Sequence, residues 1–227
     1  MTQPYEGTDI LELLTEATQY NNSIVRYIIK EAPALSDIVD FGAGIGTFPI
    51  ILRNCGRNIL CVEQDSRHKS ILQSKGFQTY SNFIEIQNPP SFLYSLNVLE
   101  HIENDLEVLK SIYNHLPNNS KIFIYVPALN WLWTDLDDNV NHYRRYSRKT
   151  LKNTLEKAGF KVNKIHYCDF AGVLVTMIFK LLKRSSKKIR KSDIIFYDKF
   201  VFRVSQCLDP LFNKLAGKNV IAIAWKK

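Results

Sequence analysis

The stretch "DFGAGIG", Asp40 to Gly46, constrains this chain more than any other feature. It continues the apolar run "DIV" and carries glycines at alternate positions. Glycines so placed after a buried strand mark a turn whose backbone takes conformations closed to other residues, and whose bare surface comes close to a ligand. The next segment, "TFPIILRNC", has the pattern of a helix, with Pro49 in the first turn where its missing N–H costs nothing. Strand, glycine turn and helix together open a layered fold of β and α elements.

The rest of the chain keeps that rhythm. Strands are expected at "NILCVEQD" (58–65), "FQTYS", "SFLYSL" (91–96), "SKIFIYVPA" (120–128), "FKVNKIHYCDF" and "NVIAIAWKK" (219–227). Helices are expected at "SRHKSILQSKG", closed by Gly76, at 103–116, and at 148–159 with Ser147 as its N-cap. Ahead of the first strand, Ile10, Leu13, Leu14, Ala17, Ile24, Tyr27 and Ile28 fall at helical spacing, and "YNN" at 20–22 suggests a break. The alternation predicts βαβ units and a mainly parallel, doubly wound sheet.

Composition supports one domain spanning 1–227: the chain is 45% hydrophobic and 23% charged, enough for a substantial core. No N-terminal stretch reads as a signal peptide, and "FAGVLVTMIFKLL" (170–182) is too short to span a bilayer. A cytoplasmic location is therefore expected. The four cysteines show no CxxC pairing, so no zinc site and no disulfide frame are indicated, and no metal ligand is assigned. The net charge of +8 hides an asymmetry. Residues 1–140 hold 9 basic against 17 acidic side chains, and residues 141–227 hold 21 against 5. The basic part suits an anionic partner or surface.

Two nucleotide loops can be set aside. A P-loop needs Lys and then Ser or Thr after its last glycine, and a dinucleotide fingerprint needs glycine at 47, where this chain has Thr. What remains is D-x-G-x-G-x-G. A carboxylate beside a pyrophosphate would be repelled, whereas one beside a cationic amino-acid moiety is favoured. Asp40 at a strand's C-terminal end suits the second kind of ligand.

"VDFGAGIG" resembles motif I of the class I S-adenosylmethionine-dependent methyltransferases. The resemblance implies a Rossmann-like α/β fold, a seven-stranded sheet with an antiparallel C-terminal strand and, here, a helical insertion before that strand. It implies that Gly42, Gly44 and Gly46 pack against the methionine part of S-adenosylmethionine. Glu63, with Gln64 beside it, stands where the family's acid binds the ribose hydroxyls; a solvated strand-end acid is the alternative. "SLNVLEHIEND" resembles the segment whose backbone, at Leu96 and Asn97, borders the methionine group. His101 in that segment is either a catalytic candidate or a packed, capping residue. The family often has an acid near the adenine amine; the equivalent zone here is "YSNFIE", which leaves that role to Asn82 and Phe83. "NPPS" (88–91) is like the motif of nucleic-acid amino-methyltransferases but precedes a strand instead of following one, and reads as a turn.

"QYNNSIVRYI", "VPALNWLWTDLDDNVNHYRRYSRKTL" and "GKNVIAIAWKK" together resemble one bacterial subgroup, often found beside glycosyltransferases of polyprenyl carriers and surface glycans. The resemblance implies that Tyr20 and Asn21 fold over the cofactor and that an acceptor-loop insertion, 129–147, shapes the acceptor pocket. Methyl transfer to an oxygen of high pKa needs a base near the methyl group. The candidates are His142, His101, Asp135 and Asp138, with His142 preferred; its alternative is a histidine that staples the loop. Arg144 and Arg145, with Tyr143, would grip an anionic group of the substrate, or else the arginines pair with Asp137 or Asp138. Trp131 and Trp133 would line an apolar or sugar-stacking pocket, or simply pack.

Residues 170–218 form a helical, basic insertion within the same domain. "KLLKRSSKKIRK" (180–191) holds seven basic residues in twelve, flanked by apolar segments. The insertion is expected to cap the acceptor pocket, with peripheral contact to anionic membrane through 180–191 in addition. No RNA-binding module accompanies the charge, so nucleic acid is not the expected partner. The expected function is methyl transfer from S-adenosylmethionine to a small-molecule, glycan or lipid-linked acceptor at oxygen. The alternatives are RNA methylation and a catalytically silent cofactor-binding scaffold.

Overall fold

β1 (Ile38–Phe41) is buried along its first three residues and lies near the middle of a seven-stranded sheet. The computed structural model describes residues 7–34, 36–181 and 190–227. Most of the basic run at 180–191 lies outside the described residues. The sheet order is β3-β2-β1-β4-β5-β7-β6, with β2 (Ile59–Val62), β3 (Gln78–Tyr80), β4 (Phe92–Leu96), β5 (Lys121–Pro127), β6 (Lys161–Cys168) and β7 (Asn219–Trp225). β1 to β5 pair in parallel; β7 runs antiparallel to both β5 and β6. This is the mainly parallel, doubly wound sheet with an antiparallel last strand that the rhythm and the resemblance imply.

The inner strands β1, β2, β4, β5 and β7 are buried almost throughout because both faces are covered, while the edge strands β3 and β6 carry polar residues. On β5, Ile122, Ile124 and Val126 face one layer while Phe123 and Tyr125 face the other. The first layer is built on α5 (Asp105–His115) and α7 (Arg148–Lys157), through Leu109, Ile112, Leu151 and Leu155. The second is built on α2 (Thr18–Glu31), α3 (Thr47–Asn54) and α4 (Ser66–Ser74), through Ile24, Ile28, Leu52 and Leu72. Each fully buried side chain of this size contributes about 1.5–3 kcal/mol.

Local signals act as expected in most places. Ser147 caps α7, its hydroxyl accepting from the Thr150 N–H at 3.0 Å, and Gly76 takes φ +77 after α4. The N-terminal break is displaced from its expected position. α1 (Thr8–Leu14) stops before Thr15–Ala17, and Tyr20 to Asn22 lie inside α2. Asn21 explains the shift: its buried side-chain amide donates to the Leu14 carbonyl at 2.9 Å, satisfying the end of α1 from within α2.

The insertion between β6 and β7 is helical where described: α8 (Phe170–Leu181), α9 (Lys191–Phe196), a π-helical turn at Tyr197–Val201, and α10 (Phe202–Phe212). A buried polar knot roots it. Asp209 accepts the N–H groups of Asp169 and Phe170 at 2.9 and 2.8 Å, and Ser205 donates to Asp169 at 2.6 Å. The Tyr197 hydroxyl also donates to Asp169. Gly172 admits that contact, since a Cβ there would lie 2.3 Å from the tyrosine oxygen.

The insertion also holds α2. No side chain of its own caps that helix. Asp198, buried in the π-helical turn, instead accepts the N–H groups of Gln19 and Tyr20 at 3.0 and 2.8 Å. Removing this carboxylate by Asp198→Ala is expected to lower stability by about 1–2 kcal/mol, as loss of a helix cap does. Urea unfolding would show it as a lower midpoint at an unchanged slope.

Candidate active site

The C-terminal ends of β1, β2, β4 and β5 lie at one edge of the sheet, and doubly wound folds bind ligands where the strand order reverses there. Here the reversal falls between β1 and β4. The glycine turn leaves β1 at this point, its Gly42 and Ala43 N–H groups both donating to the Val62 carbonyl at 2.8 and 3.1 Å. Gly42, Gly44 and Gly46 take φ values of +87, +54 and +87, so each needs glycine's freedom. Gly42 needs its bareness too, because a Cβ would sit 2.2 Å from the Val98 Cγ2. A Cβ on Gly44 would meet Leu11 at 3.3 Å, which places α1 over the turn.

The two acids expected to flank a ligand are both present at this turn. Glu63 accepts the Gly44 N–H at 2.7 Å through one oxygen and the Asp65 N–H at 2.9 Å through the other. Those bonds aim the carboxylate and leave lone pairs for further donors. Asp40 is buried beneath the turn and, among the described residues, accepts only the Tyr94 hydroxyl, at 2.7 Å. Burial pushes its carboxyl up to about 8, Tyr94 opposes the rise and the charge of Glu63 adds to it. A cation placed here would meet a carboxyl short of a partner, so the glycine cradle and its acids fit a cofactor that carries an amine.

After β4, Asn97 takes a left-handed φ of +52 and donates its N–H to the Tyr125 carbonyl at 2.8 Å. Leu96 is buried at the strand's end and Asn97 is exposed beside it. Tyr20 approaches the same edge, its hydroxyl bonded to that of Tyr125 and accepting from the Asn219 amide at 3.2 Å. Gln64 is exposed next to Glu63. Asn82 and Phe83 depart from the expected adenine contact. The Phe83 ring is buried in the core edge-on to His115, and the Asn82 side chain caps the 3₁₀ turn Phe83–Glu85. An aromatic beside an exposed Asn is too weak a signal to tell a core residue from a ligand contact.

The second half of the site is built from the turn Leu99–His101 and the segment that follows β5, which contains the 3₁₀ turn Asn130–Leu132 and the short α6 (Asp135–Asn139). His142 stands at its centre. Its Nδ1 donates to Asp137 Oδ1 at 2.8 Å, and its Nε2 faces Glu100 Oε1 at 3.9 Å. Its ring is edge-on to His101, with centroids 4.5 Å apart. Burial would raise the Asp137 carboxyl, but bonds from His142 and Arg145 outweigh it and hold the group well below the usual carboxylate range. Burial and the neighbouring His142 push His101 down to about 4, so that ring is neutral. Glu100 is fully buried, and neither carboxylate oxygen has a hydrogen-bond partner among the described residues. Burial raises it to about 8.

The arginines are placed differently from the anion grip expected of them. Arg145 is buried, and its Nε and Nη2 donate to Asp137 at 2.7 and 2.9 Å while Nη1 reaches the Ala128 carbonyl. Arg144 pairs with Asp105 at 2.8 Å and donates to the Glu103 carbonyl. Both guanidinium groups are thus engaged by the fold's own carboxylates and carbonyls, Arg145 in the interior and Arg144 nearer the surface. Tyr143 and Trp131 are more than half exposed, and Trp133 donates its indole N–H to Asp138 at 2.9 Å. Sequence reading missed Asp137 as the group that orients His142. A carboxylate five residues before a histidine in a stretch without periodicity carries no positional signal.

Comparison with known proteins bears on the chain as a whole. A family model described as a methyltransferase domain matches residues 13–165. No curated protein matches the chain. Among solved structures, a possible histamine N-methyltransferase of Thermotoga maritima shares 15% identity and a TM-score of 0.65, over 96% of this chain and 95% of its own. An S-adenosylmethionine-dependent methyltransferase of Archaeoglobus fulgidus shares 20% identity and a TM-score of 0.64, over 92% and 94%. A Haemonchus contortus phosphoethanolamine N-methyltransferase, solved with S-adenosylmethionine, shares 14% identity and a TM-score of 0.58, over 91% of this chain and 52% of its own.

The raised Asp40 carboxyl has a consequence for stability. The folded protein keeps a proton that the unfolded chain releases near pH 4. Stability from this group is therefore complete at low pH and is lost as pH climbs toward about 8. Asp40→Asn retains an oxygen for Tyr94 and removes the loss. In thermal unfolding of the ligand-free protein, the variant is expected to match wild type near pH 4 and to melt higher than wild type at pH 8.

Proposed function

The chain belongs to the methyltransferase-domain family, and from that premise we propose that it moves a methyl group to an oxygen of a small-molecule, glycan or lipid-linked acceptor. It is an S-adenosylmethionine-dependent methyltransferase; when bound, that cofactor supplies a methyl carbon on a sulfonium, an electrophile whose main requirement is an aligned nucleophile. Gly42, Gly44 and Gly46 cradle the methionine part, Asp40 faces its amine, and Glu63 with Gln64 takes the ribose. The backbone at Leu96 and Asn97 borders the reacting end, and Tyr20 closes over it.

The observation that carries the oxygen reading is the Asp137–His142 pair, whose Nδ1–H···O bond of 2.8 Å fixes the tautomer and leaves the Nε2 lone pair available. An alcohol or phenol must give up a proton as its oxygen attacks, and Nε2 is oriented to take it while Asp137 stabilises the charge that forms. His101 packs against the same ring and sets its face. The acceptor loop 129–147, with Trp131, Trp133 and Tyr143, shapes the pocket, and Arg144 and Arg145 hold that loop in place. The subgroup resemblance of the "HYRRYS" segment supports the same assignment.

Two helices of the insertion favour a lipid-linked acceptor. Leu174, Met177, Ile178 and Leu181 form an exposed apolar stripe on α8, and Phe196, Phe200, Val204 and Leu211 form another along α9 to α10. No helix among the described residues is long and apolar enough to cross a membrane. Apolar stripes joined by a segment with seven basic residues in twelve suit the surface of an anionic bilayer. The insertion then serves as cap and as membrane contact together.

Incubation with methyl-labelled cofactor and either a lipid and glycan extract or total RNA tests the acceptor. Label in the lipid or glycan fraction is expected; label confined to RNA overturns the reading. With the acceptor found, His142→Gln is expected to lower kcat by about 10²- to 10⁴-fold at unchanged affinity for S-adenosylhomocysteine. Separately, the protein is expected to sediment with phosphatidylglycerol vesicles and not with phosphatidylcholine vesicles. Replacing Ile178 and Leu181 together by Asp should weaken that binding about tenfold or more, since each buried aliphatic side chain contributes more than one decade of partitioning.

A further inference from the structure

Glu100, His101 and His142 bring one carboxylate and two imidazoles to a single point, with candidate donor atoms all within 4.8 Å of one another. The first two follow β4 and the third comes from the loop after β5, so the fold and not sequence spacing assembles them. We infer that this cluster binds one divalent transition-metal cation, through a Glu100 oxygen, a ring nitrogen of His101 and Nε2 of His142.

Three observations converge on it. Glu100 is fully buried with both oxygens unpartnered among the described residues, a costly arrangement that a cation would relieve. His142 has its other nitrogen bonded to the Asp137 carboxylate, which Arg145 in turn grips with two donors. Histidines that ligate metals almost always donate their far N–H to a carboxylate or a backbone carbonyl, which fixes the ring and strengthens the ligating nitrogen. His101 brings a second imidazole to the same point, its ring edge-on to that of His142 with centroids 4.5 Å apart.

The dimensions are close. Metal–nitrogen and metal–oxygen bonds of about 2.1 Å place neighbouring donors on one ion roughly 3–3.5 Å apart. Nε2 of His142 and Oε1 of Glu100 are separated by 3.9 Å, too long for a hydrogen bond and about half an ångström wider than two ligands of one ion, a gap that small side-chain rotations close. Two histidines and one carboxylate suit zinc, manganese, iron(II) or cobalt(II) and leave coordination positions open.

The consequence for chemistry rests on the methyl-transfer reading; the binding itself does not. A cation at this point polarises an acceptor hydroxyl placed in an open position and lowers its pKa. The O–H bond then breaks with its proton passing to solvent water. The oxygen–methyl bond forms as the methyl–sulfur bond breaks, with that electron pair left on sulfur. His142 in this state spends its Nε2 lone pair on the ion, and the cation takes over from it the task of activating the acceptor.

The test uses the full chain, stripped with a chelator and titrated with zinc by calorimetry, and with cobalt(II) by visible absorption. One equivalent of zinc is expected to bind, and cobalt(II) should give the absorption bands of nitrogen and oxygen ligation in a site of low coordination number. Glu100→Gln and His142→Gln should each weaken zinc binding at least tenfold, with thermal unfolding confirming that the variants are folded. The cobalt spectrum of the wild-type protein needs no variant and stands if either variant fails to fold. Absence of saturable zinc uptake, or zinc binding by both folded variants equal to wild type, overturns the inference. Acceptor assays on the same preparations separate the two readings. A protein that methylates an oxygen acceptor while taking up no metal sinks the metal site alone; one that binds zinc and labels only RNA sinks the acceptor reading alone.

Discussion

The near contact of Gly42 with Val98 is the constraint on which the rest of the site depends. The strand order reverses between β1 and β4, and the loops leaving those strands meet where a side chain on Gly42 would overlap Val98. Once Val98 is seated there, Asn97 is held in its left-handed conformation and the chain turns directly into Leu99–His101. That turn is also the floor of the other half-site. The Glu100 carbonyl accepts the Tyr143 N–H at 2.8 Å, and the Leu99 carbonyl accepts the Tyr146 hydroxyl at 3.3 Å. Six residues of backbone, 96–101, therefore pack against both the glycine turn and the loop that carries His142.

Charge is handled by burial in pairs. Asp137 and Arg145 are both buried and are joined by two short bonds, with His142 on the remaining side of the carboxylate. Such a pair adds little net stability, because desolvation offsets most of the attraction, but losing one partner strands the other at a cost of about 3–5 kcal/mol. Its value here is positional. A segment with one short helix and a single 3₁₀ turn has few backbone bonds to fix it, and the ion pair supplies the rigidity that regular structure would otherwise give.

Much of the fold was legible because periodicity and glycine placement are local signals. Strands buried on both faces read as continuous apolar runs, and the glycine turn followed its strand without a gap. The site was legible in halves. Glu63 and Asp40 are expected beside the glycines from their positions, and the structure sets both carboxyl groups at that turn. Phe83 did not, since whether an aromatic after a short edge strand faces the core or a ligand depends on the helix packed over it. For Arg145 the sequence offers a substrate grip or a pair with Asp137, and the fold makes the pair; Asp105, the partner of Arg144, is 39 residues away and is not among the candidates. The grouping of Glu100 and His101 with His142 depends on two strands ending at the same edge, which no window of sequence displays.

The hold that Asp198 keeps on the first turn of α2 ties two segments far apart in the chain into one packed unit. The insertion begins after β6 and ends before β7, at the sheet edge where the glycine turn lies, and its buried aspartate reaches across to the N–H groups of Gln19 and Tyr20. Tyr20 stands beside Tyr125 and Asn219, between the insertion and the strand ends. A substitution that disturbs the insertion therefore also strips the cap from α2, while the Tyr20 hydroxyl keeps its own anchors on the sheet, Tyr125 and Asn219. The start of the chain and its end thus share one buried carboxylate, and the stability of either cannot be changed without the other.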